Sequence, residues 1–347
     1  MEILQAARVL GLSSISFLVA LVLTPAIVGL LYKFNFAKQI RSESSAPIFH
    51  KLHKKKENTP TMGGIVIWAT VLALAIFFWI LGFFFNGFWN YLNFVDRAQT
   101  YLPLAAMVFA AGLGLLDDLM GVLRVGPNGG GLKVSQKVIM YLFLSLIGGL
   151  WFYFRLDWNT LYIPFFGYFN IGWWYVPFFM FIITASAFSA NETDGLDGLL
   201  GGVTLFAFGA LTVVAFSLGR YDLATFSGVT VGALLAFLWF NVYPARFFMG
   251  DTGSMALGIT MGMIAMLTNT ALFLPFFASI MVIESLSVII QMISKKLTGK
   301  KIFISTPIHH HFEAIGWPET KVTMRFWIVS AVFSALGLAL FFIARFF

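Results

Sequence analysis

Three carboxylates fall within the stretch Asn191-Glu192-Thr193-Asp194-Gly195-Leu196-Asp197-Gly198, between two uncharged apolar runs, Trp173 to Ala190 and Leu199 to Leu218. An acidic cluster at the edge of hydrocarbon is costly unless a cation holds it. Gly195 and Gly198 permit tight turns and the close approach of a ligand. A solvated turn between helices explains a single Asp-Gly pair. Doubled, with Asn191 and Thr193 alongside, the pair makes an all-oxygen donor set suited to a hard cation such as Mg²⁺. Other polar clusters are Thr59-Pro60-Thr61-Met62-Gly63-Gly64, Asp117-Asp118, Phe248-Met249-Gly250-Asp251 and His309-His310-His311. The aspartate pair ends an apolar run, where the negative end of a helix dipole disfavours it, so a bound cation or a Lys partner is expected. The histidines lack the HExxH spacing of a zinc site. With Lys295, Lys296, Lys300 and Lys301 nearby, they read better as part of a loop facing phosphate. Gly126 to Lys133 has neither the spacing nor the preceding strand of a phosphate loop and reads as a flexible loop. Phe248 is either interfacial packing or a stacking platform for a base.

The elements that must position these residues are membrane spans. Of the 347 residues, 59% are hydrophobic and 11% charged, with a mean hydropathy of +0.88, which marks a polytopic membrane protein. The pattern predicts an all-α fold of ten transmembrane helices. They run over about Leu10–Leu31, Met62–Phe85, Tyr101–Leu116, Val138–Phe154, Trp173–Ala190, Leu199–Leu218, Leu223–Val242, Thr252–Leu267, Ala271–Ser294 and Val322–Ile343. The β-branched and aromatic residues between Asp157 and Trp173 predict a small hairpin. No linker or repeat interrupts the chain, so residues 1–347 form a single transmembrane catalytic domain. The absence of cysteine excludes disulfides, thiolate zinc sites and cysteine nucleophiles. The net charge of +7 is a topology signal between spans and predicts no nucleic-acid partner.

Ten spans put both termini on one side. The loops of the other side then carry all of the 22 Lys and Arg except Arg8, Arg97, Arg155, Arg220 and Arg345, so that side is cytoplasmic and the termini are periplasmic or external. Every polar cluster falls on the cytoplasmic face. A transporter or lipid flippase would concentrate polar residues near mid-membrane, whereas here Glu284 is the main internal charge. Acidic metal ligands, basic groups and a bilayer together point to phosphoryl transfer between a soluble phosphate donor and a lipid.

The segments Thr59–Gly64, Asp117-Asp118, Asn191–Gly198, Asn241–Asp251, Glu284–Gln291 and Pro307–Glu313 resemble, in order and over the whole chain, the signatures of the phospho-N-acetylmuramoyl-pentapeptide transferases. These enzymes belong to the polyprenyl-phosphate N-acetylhexosamine-1-phosphate transferases. The resemblance implies transfer of phospho-MurNAc-pentapeptide from UDP-MurNAc-pentapeptide to undecaprenyl phosphate, giving lipid I and UMP. It also implies a Mg²⁺ cofactor and a homodimer in the bacterial cytoplasmic membrane. By position, Asp251 resembles the Mg²⁺ ligand, and Asp117 the group that deprotonates or orients the lipid phosphate, with Asp118 beside it. His310 is carried over as a catalytic position. Lys56, Lys137, Asn191, Asp194, Asp197, Asn241, Phe248, Gln291, His309 and His311 match substrate-binding positions. The chain departs from the family pattern at Gly121, Phe188 and Asn58, none of them a metal ligand. A sister transferase using another UDP-N-acetylhexosamine shares the acidic chemistry but typically has a different histidine pattern. A CDP-alcohol phosphotransferase needs further aspartates after its DGxDG-like start, and Leu199 to Leu218 contains none.

Glu284 and Gln291 lie seven residues apart on one face of the ninth predicted span, roughly 10 Å along a helix. That face is expected to border a groove for the polyprenyl phosphate, with Glu284 held by Ser or Thr hydroxyls or a Lys and with Pro275 bending the helix. An architectural buried carboxyl is the alternative.

Overall fold

The structure, a computed structural model, describes residues 1–37, 56, 59–95, 98–126 and 130–346. Lys38, Arg41, Lys51, Lys54, Lys55, Arg97 and the departure at Asn58 lie outside the described residues. The chain is helical throughout: α1 Glu2–Lys33, α2 Ile65–Phe84, α3 Phe88–Leu92, α4 Ala98–Val122, α5 Val134–Arg155, α6 Tyr175–Thr193, α7 Leu199–Ser217, α8 Tyr221–Asn241, α9 Gly250–Leu267, α10 Leu274–Phe277, α11 Ser279–Thr298, α12 Ile308–Ala314 and α13 Glu319–Phe346. Between α5 and α6 the predicted hairpin forms, β1 Thr160–Ile163 pairing antiparallel with β2 Gly167–Asn170. Among the described residues, eight helices are long and apolar enough to cross a bilayer, or nine if the bent pair Ala271–Phe277 and Ser279–Thr298 is one span.

Helix α9 is the centre of the bundle. All of its residues except Asp251 are buried, which its run of Gly, Ala, Ser, Thr and Met makes possible by letting neighbouring backbones come close. A Cβ on Gly258 would meet Ser186 O at 2.6 Å and Ala187 Cα at 2.8 Å of α6. A Cβ on Gly114 of α4 would run into the Asp251 carbonyl. Helix α1 seats on α8 by the same device, because Gly228 and Gly232 face Ser13 and Ser16, and Ser16 Oγ donates to Val229 O at 2.7 Å. Buried threonine hydroxyls such as Thr204 and Thr230 donate one turn back, to Leu200 O at 2.7 Å and Phe226 O at 3.0 Å, which lets them sit inside the bundle. Peripheral helices turn apolar side chains outward, including Leu18 and Val22 of α1, Phe143 and Ile147 of α5, and Ile328 and Val332 of α13. Lipid is the solvent that suits such a surface.

Three expectations need correction. The third predicted span, Tyr101 to Leu116, is too short: α4 runs from Ala98 to Val122 and carries Asp117 and Asp118 inside it. The ninth predicted span is not continuous. Pro275 sits in the first turn of α10, where its missing N–H is harmless; the chain breaks at Ala278 (φ −116°, ψ 35°) and turns by 90° into α11. The long late loop holds a helix of its own, α12, with the three histidines on it.

Close approach of α4 and α9 sets up a paired test. Gly114→Ala forces a Cβ into backbone and is expected to cost about 1–3 kcal/mol, read as a lower Tm in detergent. Gly112→Ala, two residues away with no atom within 4 Å of its Cβ, should be neutral or gain up to about 1 kcal/mol. Equal behaviour of the two variants contradicts the crossing.

Candidate active site

The predicted acidic groups converge on the N-terminus of α9. Its first amides lack helical acceptors and carry the positive end of the dipole, a natural seat for carboxylates. Asp118 Oδ2 accepts the Thr252 N–H at 3.0 Å, and Asp194 Oδ2 accepts the Gly250 N–H at 3.2 Å. Asp251 lies in that first turn, its Oδ1 accepting from Asn191 Nδ2 at 2.6 Å. Gly250 is left-handed (φ +74°), and a Cβ there would meet Asp118 Oδ2 at 2.5 Å and Thr61 Oγ1 at 2.7 Å. Only glycine suits this corner. The Thr59–Gly64 motif clips onto it through main chain: Gly63 N–H to Phe248 O, Gly64 N–H to Met249 O and Phe248 N–H to Pro60 O, each at 2.8 Å.

At the centre is Lys137. Its ammonium sits 2.7 Å from Asp117 Oδ2 and also bonds Asp251 Oδ2. Lys137 lies near the start of α5, where a cation opposes the helix dipole; the two carboxylates make the placement tenable. This is the Lys partner expected for the aspartate pair. Asp117 Oδ1 also accepts the Leu132 N–H at 2.5 Å, so the loop before α5 closes on the site through its backbone.

Beside this lies a second cluster. Lys56 Nζ bridges Asp197 Oδ1 at 2.7 Å and Glu319 Oε1 at 2.6 Å. Glu319 Oε1 also accepts the Asp197 N–H at 2.7 Å. The ammonium stands 5.8 Å from the Phe248 ring centroid and 5.9 Å from that of Tyr243, and the two rings supply flat surface next to a cation. Asn241 sits behind, buried; it accepts the Gly198 N–H at 3.1 Å and donates to Phe247 O at 2.7 Å. Its side-chain amide is spent on holding the turn.

The histidines form a third group. His309 Nδ1 lies 3.0 Å from Glu284 Oε2, both side chains wholly buried. The partner of Glu284 is therefore an imidazole, not the hydroxyl or lysine expected. Burial disfavours the imidazolium, yet the Glu284 charge and its contact, with Glu313 and Glu192 adding, hold His309 above its ordinary value of 6.5. A Cβ on Gly195 would run into the His309 ring, so this glycine lets the imidazole lie against the acidic turn. His310 Nδ1 is 2.8 Å from Glu313 Oε2, and His311 Nδ1 accepts the Ile304 N–H at 3.2 Å. Gln291 Oε1 accepts the N–H groups of Ile302 and Phe303 at 2.9 and 3.0 Å, while its Nε2 donates to Phe303 O at 2.8 Å. Gln291 thus fastens the loop before α12. Among the described residues no three His, Asp or Glu side chains group as a ready metal cage.

Asp117, Asp118, Lys137, Asn191, Asp194 and Asp251 come together in one site. Lys56, Asp197 and Phe248 flank it, and His309 adjoins it through Gly195, with His310 and His311 following on α12. Asn241 and Gln291 hold backbone instead of opening onto the carboxylates. Glu319 is an ionic neighbour absent from the sequence reading, and Glu313, there only the end of the Pro307–Glu313 segment, has no role assigned in it. Glu313 follows His310 by three residues, a spacing that brings side chains together on a helix; Glu319, just after Pro318, reads only as a helix start.

Two outcomes are expected. Lys137→Met leaves two near-buried like charges facing each other and should lower stability by about 3–5 kcal/mol, whereas Lys137→Arg keeps the bridge. An unchanged Tm for Lys137→Met refutes the bridge. The raised His309 value makes its pair with Glu284 most stabilising below pH 6.5 and progressively less so as pH rises through the raised value. Glu284→Gln should therefore lower Tm more at about pH 6 than at about pH 9.

The same geometry can now be set beside known proteins. Residues 100–269 match the family model described as glycosyl transferase family 4, and residues 56–67 match phospho-N-acetylmuramoyl-pentapeptide-transferase signature 1. The chain is 40% identical over 328 residues to the phospho-N-acetylmuramoyl-pentapeptide-transferase of Geobacillus thermodenitrificans, covering 94% of this chain and 95% of the relative. It is 42% identical over 328 residues to that of Clostridium perfringens strain 13, with 94% and 96% covered. To that of Anoxybacillus flavithermus it is 39% identical over 333 residues, with 95% and 97% covered. An acidic site around one helix N-terminus, a matched signature and end-to-end similarity agree: this chain belongs to the phospho-N-acetylmuramoyl-pentapeptide-transferase family.

Proposed function

We propose that the chain transfers phospho-MurNAc-pentapeptide from UDP-MurNAc-pentapeptide to undecaprenyl phosphate, yielding lipid I and UMP. The observation that carries the reading is the convergence of Asp117 and Asp251 on Lys137 at the N-terminus of α9. An oxygen of the lipid phosphate attacks the phosphorus that bears the sugar, the bond from that phosphorus to the UMP oxygen breaks, and UMP departs. Asp117, anchored by Leu132 and Lys137, takes or orients the acceptor phosphate's proton. Lys137 faces the non-bridging phosphate oxygens. Phe248 and Tyr243 beside Lys56 offer the uracil a stacking surface.

The donor set fits Mg²⁺: a hard cation that keeps most of its waters needs only one or two carboxylates, and Asp251 and Asp117 already converge on a positive group. Asp251 would hold the ion. When bound, Mg²⁺ neutralises charge on the phosphates undergoing transfer.

Helix α9 together with the bent pair brings the crossings to ten in this reading. The Lys and Arg bias supports a cytoplasmic acidic face with external termini. Contacts agree on the pairing of ends, since Tyr91 OH donates to Leu4 O at 2.8 Å and Tyr162 OH to Ala344 O at 2.7 Å, both away from the acidic site. Homodimer assembly is carried by the family resemblance.

The test is UMP release from UDP-MurNAc-pentapeptide with and without undecaprenyl phosphate, and with Mg²⁺ or a chelator. Asp251→Asn should lose at least about 100-fold; near-normal turnover at limiting Mg²⁺ sinks the assignment. Asp117→Asn should lower kcat with little change in KM for the UDP substrate. A different preferred UDP-N-acetylhexosamine in a donor panel would move the chain to a sister activity.

A further inference from the structure

Helices α5, α7, α9 and α13 start near the acidic site and finish at the opposite end of the bundle, around a cavity of about 350 Å³. The run from Asp251 to Leu267 alone separates the two by about 24 Å. The cavity is lined by Asp157, Trp158, Tyr168, Arg220, Asn269 and Arg345, among others. None of them takes part in the chemistry above.

Two guanidinium groups share this space. Arg220 donates to the Leu267 carbonyl and lies 5.6 Å from the Trp158 ring centroid. Arg345 lies over the rings of Tyr162 at 4.7 Å and Tyr168 at 5.8 Å. Neither forms an ion pair among the described residues, although Asp157 lines the same cavity. Burial depresses the Arg220 guanidinium, Tyr168 offsets part of this, and the Arg345 charge adds to it. Like charges brought together over aromatic faces put two guanidinium groups on the wall of one space, a donor chemistry that suits a phosphate. Asn269, by contrast, spends its amide on the hairpin, accepting the Tyr162 N–H at 3.0 Å and donating to Thr160 O at 3.1 Å. It shapes the wall and leaves ligand contact to the arginines.

Depth in the bilayer decides the source of that phosphate. Phe165, Phe166, Tyr168, Trp173 and Trp174 are exposed on the hairpin and its exit. Such aromatic side chains collect at the headgroup level of a membrane. We infer that the cavity binds the phosphodiester headgroup of a membrane phospholipid, with Arg220 and Arg345 on the phosphate and Asp157 beside the ammonium of an ethanolamine head. The inference rests on the membrane-spanning fold and is independent of the catalytic reading.

Native mass spectrometry of the detergent-solubilised protein, titrated with short-chain phosphatidylethanolamine, measures it without any activity readout. Arg345→Gln, at an exposed position near the end of α13, leaves the bundle intact and should weaken lipid retention about tenfold. Arg220→Gln should do the same, and Arg155→Gln, an exposed arginine outside the cavity, should change nothing. Asp157→Asn should erase any preference for the ethanolamine head over phosphatidylglycerol. Wild-type retention in both cavity arginine variants overturns the inference. So does equal stabilisation by soluble glycerophosphoethanolamine, which would make this a site for a free phosphodiester and not for a lipid, or tighter binding of phosphatidylglycerol than of phosphatidylethanolamine.

Discussion

A carboxylate beside hydrocarbon must find a positive partner, and most of this structure follows from how that requirement is met. Asp117 and Asp251 reach the same ammonium from different helices, while Asp118 and Asp194 take the free amides of α9. Remove the helix N-terminus and two carboxylates lose their donors; remove Lys137 and the other two repel. The charges therefore hold α4, α5, α6 and α9 in a fixed relation. In a bilayer, where apolar burial gives little reason for helices to associate, such polar pairing at the boundary adds specificity to the packing of small residues below it.

The turn from Asn191 to Gly198 links all three polar groups. Asn191 and Asp194 serve the α9 terminus, Gly195 admits the His309 ring, and Asp197 meets Lys56 and Glu319. Neutralising one acid of this turn disturbs a different neighbour from the next. Variants within the turn should not behave as equivalents, and their effects should add poorly because they share partners.

Much of this was legible in one dimension. Apolar runs located the helices, the aromatic and β-branched stretch marked the hairpin, and the dipole argument called for a cation beside Asp117 and Asp118. What escaped depends on residues distant in the chain. Glu284 pairs with an imidazole 25 residues later, and no local pattern announces such a partner. Asn241 and Gln291 look like ligand-binding amides until their bonds to the backbone of Phe247 and Phe303 are seen. The bend expected from Pro275 comes at Ala278 and is a 90° break, and because hydropathy runs through it the composition could not show its place or size. Glu319 resembles any acid that opens a helix.

That glutamate ties α13 to Lys56, 263 positions earlier in the chain. A ribosome releases residues in order, so Lys56 and Asp197 are made long before their shared partner. Until α13 is threaded into the bilayer, the Asp197 amide lacks its acceptor and Lys56 has only one of its two carboxylate partners. Closure of this ionic junction therefore waits on the insertion of α13, whichever of its earlier partners are already in place.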